Sequence, residues 1–157
     1  MHLRQVRVFV LMVSLAMTSL QVLTLHAAAQ GRLATAKALR CTFARNATGS
    51  WSKTGAATAV VKPSTLVLRF DSIDFDDGTA QLRTGKVANE VVVKMAEGYV
   101  HFMQVFRTGP LYTTTVFDKD AGGTLKAVHS RHEYFAVPLA GSTSSPEQYY
   151  GECEVEK

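Results

Sequence analysis

Residues 66–83, LVLRFDSIDFDDGTAQLR, read as two strands joined by a tight turn. Leu66, Leu68 and Phe70 alternate with Val67, Arg69 and Asp71, the period of two that sends successive side chains to opposite faces of a strand. Asp77-Gly78 marks a tight hairpin, because glycine takes positive φ at no steric cost. Thr79–Arg83 is the returning strand.

The same grammar repeats downstream. Glu90–Met95 is a β-branched run that favours strand over helix, and Glu97-Gly98 turns it into Tyr99–Phe106. Thr108-Gly109-Pro110 turns again into LYTTTVF, residues 111–117. A loop at Asp118–Gly123 leads to Leu125–Val137, one long strand or two short ones. The polar run GSTSSP, residues 141–146, reads as a flexible loop before the last strand, Gln148–Val155. Upstream, Leu39–Ala44 is the first strand, and segments carrying Trp51 and Val60-Val61 are separated by Gly49, Gly55 and Pro63. About eight to ten short strands with turn signals every eight to twelve residues predict an all-β domain. Consecutive hairpins predict an antiparallel up-and-down meander closing into a small barrel, which removes exposed edges. A two-sheet β-sandwich is the alternative. The acidic last strand argues against a lipid-facing barrel.

The only two cysteines, Cys41 and Cys153, lie on the first and last of these strands. Residues 1–29 read as a secretory signal: Arg4 and Arg7, an apolar run from Val8 to Met17, then Ala27-Ala28-Ala29, with cleavage expected before Gln30. An exported chain meets an oxidising compartment, so the pair is expected to form a disulfide that brings the two strands together. Residues 30–38 are expected to be a flexible lead-in, loose or briefly helical, and residues 39–157 the barrel-like domain. Losing Arg4 and Arg7 takes 17 basic residues to 15 against 13 acidic, a net charge of +2 in place of +4. Mixed charge of that size gives no electrostatic case for nucleic acid. The expected location is periplasmic or extracellular, with no membrane contact after cleavage and a monomeric state.

Candidate chemistry centres on Val128-His129-Ser130-Arg131-His132-Glu133. On a strand, His129 and Arg131 share one face while Ser130 and His132 share the other. The two histidines therefore point apart, which disfavours a shared metal, and no G-x-S-x-G elbow accompanies Ser130. A hydrolase or metal site around His129 and His132 stays as a third reading, and no cofactor is implied. The acidic run Asp71, Asp74, Asp76, Asp77 fails calcium-loop spacing, with Ile73 and Phe75 at ligand positions. Asn46-Ala47-Thr48 fits the glycosylation acceptor pattern. Threonines pointing into a barrel can line a cavity with hydroxyls.

TTTVF (113–117), KAVHSRHEYF (126–135) and PEQYYGECE (146–154) resemble small exported bacterial proteins of unassigned function, over roughly the last third of the mature chain. That resemblance implies no activity. The ending Tyr150-Gly151-Glu152-Cys153 is faintly similar to that of small-barrel periplasmic lysozyme inhibitors, one residue longer than a Y-x-C ending. It implies an inhibitor role at most. The leading expectation is a non-enzymatic binding module for a small ligand, neutral or anionic. His101, Thr113, Thr115, His129 and Arg131 would line its interior or mouth, and Arg131 would pair the anionic group. The alternative is a protein-interaction or inhibitor module working through loops 118–123 and 141–146, which a filled interior would favour.

Overall fold

A computed structural model describes residues 32–52, 54–133 and 145–156. The expected signal at 1–29, most of the 141–146 loop and the continuation of the Leu125–Val137 segment past Glu133 lie outside them. The domain is a closed barrel of eight antiparallel strands in sequential order. They are β1 (Ala38–Trp51), β2 (Ala57–Asp74), β3 (Thr79–Thr84), β4 (Val87–Ala96), β5 (Tyr99–Val105), β6 (Leu111–Asp120), β7 (Leu125–His132) and β8 (Glu147–Glu156). Closure of one meander rules out the two-sheet alternative. The outer wall carries Arg40, Arg69, Arg83, Lys94 and Lys126, unlike the apolar band that a lipid-facing barrel needs.

β1 and β8 close the barrel, with Cys41 and Cys153 directly opposite each other and disulfide-bonded. Both sulfurs are buried. The bridge is compatible with an oxidising compartment.

The interior is filled. Leu39, Phe43, Leu68, Phe70, Ile73, Phe102 and Leu125 are fully buried, and the rings of Phe70 and Phe102 stack at 4.0 Å. Each such side chain stabilises the fold by roughly 1.5–3 kcal/mol relative to exposure. The lead-in contributes as well. The brief helical option for this segment is the one seen, a helical turn at residues 32–34, and it is followed by tight packing with Leu33 and Ala36 in the core. Arg32 donates to the Gly123 carbonyl across that end of the barrel at 2.8 Å.

Two irregularities change the phase of alternation. In β1, Leu39, Cys41 and Phe43 point inward, the register shifts between Phe43 and Arg45, and Asn46 is the next buried residue. In β2 the shift falls between Asp71 and Asp74, where Ser72 takes a φ of 51°, so Phe70 and then Ile73 are inward. Beyond it, Asp74 Oδ1 accepts the backbone N–H of both Asp76 and Asp77 at 2.9 Å, which holds its carboxyl below the usual range. The acidic run is thus a turn cap leading to Gly78, whose φ is 68°.

Gly151 lies opposite the β1 irregularity, paired with Phe43. A Cβ there would sit 2.0 Å from the Thr42 carbonyl oxygen, so the two backbones approach as closely as only glycine allows. Gly151→Ala is expected to cost about 1–3 kcal/mol of stability, the range for overpacking a rigid site. The urea midpoint reads it, and an unchanged midpoint would mean that β1 yields there freely.

Candidate functional site

The barrel is apolar at one end and polar at the other. The polar end is built where β1, β6, β7 and β8 direct Asn46, Tyr112, Thr114, His129, Arg131, Glu147 and Tyr149 inward. His129 is the seam between the halves. Its ring packs on Phe43 at 5.8 Å below and on Tyr149 and Tyr112 at 5.7 and 6.0 Å above.

Nδ1 of His129 lies 2.9 Å from Thr114 Oγ1, and Arg131 Nε donates to Nε2 at 3.4 Å. A guanidinium only donates, so Nε2 is the bare nitrogen and Nδ1 carries the proton toward Thr114. Burial, with the Arg131 charge second, pushes the His129 pKa down to about 3. The imidazole is therefore neutral at physiological pH.

Arg131 is engaged on every side. Its guanidinium carbon stands 5.3 Å from the Tyr112 ring centroid and 5.1 Å from that of Tyr149, within cation–π reach of both. Its Nη1 is 3.8 Å from Glu147 Oε2. Tyr149 donates to Glu147 at 2.5 Å and Tyr112 to Glu133 at 2.7 Å. Burial first, then these carboxylates, raise both phenols, Tyr112 to about 12, so both keep their protons at neutral pH. Among the described residues, no buried side-chain nitrogen or oxygen lacks a partner. The cluster is satisfied by its own members, while a quarter of the Arg131 side chain still reaches solvent at the mouth.

Only two of the five expected lining residues sit inside. His129 and Arg131 point inward together. His101, Thr113 and Thr115 point outward, because their neighbours Val100, Phe102, Thr114 and Val116 occupy the interior. His101 and Thr115 form a cross-strand pair on the outer wall, with Nδ1 3.0 Å from Oγ1. The buried hydroxyl is Thr114, the middle of three threonines. Its parity follows from Tyr112 and Val116, and ignoring those two neighbours puts the wrong threonines inside.

Ser130 and His132 lie on the outer face, as the period of two requires. Among the described residues, no group of three or more His, Cys, Asp or Glu could hold a metal ion. Asn46 is inward and only 9% exposed, and its Oδ1 accepts from Thr48 Oγ1, so the acceptor sequence is inaccessible in the folded chain.

The mouth of the polar end holds an open hollow of about 380 Å³ beside Asn46, Glu147 and Tyr149, and a second concavity lies on the outer wall. A cleft of about 620 Å³ runs over β1, β7 and β8, lined by Arg40, Thr42, Phe117, Lys126, Tyr150 and Glu152 among others. Lys126 and Thr124 both donate to Glu152, at 2.5 and 2.8 Å, and hold its carboxyl below the usual range. Tyr150 remains exposed, with its hydroxyl bonded to Gln148. The cleft therefore combines fixed charges with exposed aromatic surface, next to the loop that follows β6. Comparison with family models, with curated proteins and with solved structures finds no match for this chain.

Proposed function

We propose that this is an exported, non-enzymatic module that acts by binding another protein through its outer surface. The observation that carries this reading is the filled interior. Small-ligand barrels keep an enclosed cavity, whereas here phenylalanine and leucine side chains occupy the lower half and a polar network occupies the upper, leaving an open hollow of about 380 Å³ at the mouth beside Asn46, Glu147 and Tyr149. The outer cleft beside residues 118–124 supplies the concave, partly aromatic surface that such contacts use.

A second reading, a small anionic ligand at the polar end, has one feature in its favour. A quarter of the Arg131 side chain remains exposed there. Native mass spectrometry of the mature protein from its own host separates the two. The expected spectrum shows the bare polypeptide with the bridge closed. A stoichiometric small-molecule adduct that disappears in Arg131→Met would establish the ligand reading instead. To locate the surface, a photo-crosslinking residue at position 150 is expected to capture a partner that the same residue at position 90, on β4 across the barrel, does not. Equal capture at both positions would remove the cleft from the proposal.

A further inference from the structure

β1 and β2 are longer than the barrel needs. Trp51 pairs with Ala57 at the far end of a hairpin that projects past the polar mouth. β2 joins β3 only from Arg69 onward. Among the described residues, no strand pairs with the outer edge of β2 from Ala57 to Leu68. The barrel closes, yet this arm leaves one edge open.

Which backbone groups face that edge follows from the ladder. Ser52 N–H donates to the Ala56 carbonyl at 2.9 Å, so Ser52 and Ala56 face each other with hydrogen bonds. Hydrogen-bonded and non-bonded pairs alternate in an antiparallel ladder, so Trp51–Ala57, Gly49–Ala59 and Ala47–Val61 are the non-bonded pairs. Gly49 agrees, since its N–H turns away from β2 to the Pro146 carbonyl at 2.9 Å. Pro63 falls in the same phase, where a missing N–H costs the β1 pairing nothing. Ala57, Ala59 and Val61 therefore present their N–H and C=O groups outward, to the open edge.

Lys62 and Pro63 blunt the rest of that edge, in the manner of natural edge strands. Ala57-Thr58-Ala59-Val60-Val61 carries no such protection, and Val60 and Val61 are 51% and 65% exposed. The face of the arm continuous with the barrel interior is mostly polar, bearing Asn46, Thr48, Ser50, Thr58 and Lys62 beside one apolar residue, Val60. The face continuous with the outer wall bears Ala47, Trp51, Ala57, Ala59 and Val61.

We propose that this edge joins two copies of the chain by antiparallel pairing of β2 with β2, centred on Ala59. The segment is complementary to itself in that register. Ala59 meets Ala59 and Ala57 meets Val61, all residues whose main-chain groups point outward. The three facing pairs would exchange about six main-chain hydrogen bonds. Thr58 meets Val60, and Lys62 meets Ala56, so no like charges oppose one another. The closed two-fold arrangement is the commonest for identical subunits, and it ends the exposed edge without propagating a fibre. The short segment predicts a weak, concentration-dependent dimer, in place of the monomer expected from sequence. The assignment stands apart from the proposed function and survives if the module binds no other protein.

The test is sedimentation velocity of the mature protein up to about 1 mM, where an interface this small becomes populated. The wild type is expected to shift from monomer to dimer. Ala59→Pro removes an outward N–H that no intrachain bond uses, and is expected to weaken association about tenfold or more with circular dichroism unchanged. If that variant fails to fold, charge complementation decides. Ala59→Lys and Ala59→Glu are each expected to be monomeric, and their equimolar mixture to dimerise. A wild type that stays monomeric throughout, or a mixture that does not associate, overturns the proposal.

Discussion

Opening the Cys41–Cys153 bridge lowers the unfolding free energy by about 3–5 kcal/mol. The two cysteines are 112 residues apart, so the bridge closes almost the whole folded chain into one loop and removes a large part of the unfolded chain's freedom. The native state loses little in compensation, because the β1–β8 ladder from Ala38–Glu156 to Thr48–Glu147 remains in place. The folded Cys41→Ala, Cys153→Ala variant should therefore keep its sheet and unfold at lower urea. The m-value should rise, since an unbridged unfolded chain exposes more surface. A shift under about 1 kcal/mol would show that the ladder and the buried lead-in hold the seam without the bridge.

The second large effect is acid sensitivity centred on His129. Folding lowers its pKa from 6.5 to about 3. Between those values the unfolded chain binds a proton that the folded chain refuses, so stability is greatest above pH 6.5 and falls as pH falls toward 3. Over the first two pH units below 6.5 the loss is about 2–3 kcal/mol. Asp74 and Glu152 are depressed carboxylates, so their contributions disappear only below the ordinary carboxylate range, after the histidine limb has begun. His129→Gln cannot titrate. It should be less stable than wild type at neutral pH, having lost the Thr114 and Arg131 contacts, yet nearly flat between pH 6.5 and 4.5. Urea midpoints at each pH measure both, and a variant with the wild-type slope would remove His129 as the source.

The two predictions rest on residues of different legibility. Cys41 and Cys153 could be paired from sequence, because two cysteines in an oxidising compartment leave one pairing within the chain. Their placement on the first and last strands then favours a closed meander. His129 and Arg131 were correctly placed on one face, since a period of two leaves no freedom within a single strand. What that face met was not legible. The partners Tyr112, Glu147, Tyr149 and Asn46 come from three other strands, and cross-strand register places them. The outward direction of His101, Thr113 and Thr115 has the same cause. Each sits on a strand as expected, but which side of the strand is inside depends on the closure of the whole sheet.

Local sequence signals established that the chain is all-β, where most strands begin, and that its first and last strands are bridged. They misplaced several strand ends: the expected first strand, Leu39–Ala44, continues to Trp51, and Gly49 and Pro63 lie inside β1 and β2 because the two strands pair with each other along their whole length. Turn residues, alternation and cysteine count are local properties, and they act whatever the rest of the chain does. The rest depends on what each segment meets in the folded sheet. Tertiary structure packed Leu33 and Ala36 into the core, because burial is settled by what lies opposite. It shifted the phase of β1 and β2 at register irregularities that no local motif marks. It turned Arg131 inward onto two tyrosine rings and a carboxylate. Among the described residues it left the Ala57–Val61 edge open, because β3 is six residues long while β2 is eighteen. An edge is exposed or covered only by comparison with its neighbour, and that comparison exists only in the folded sheet.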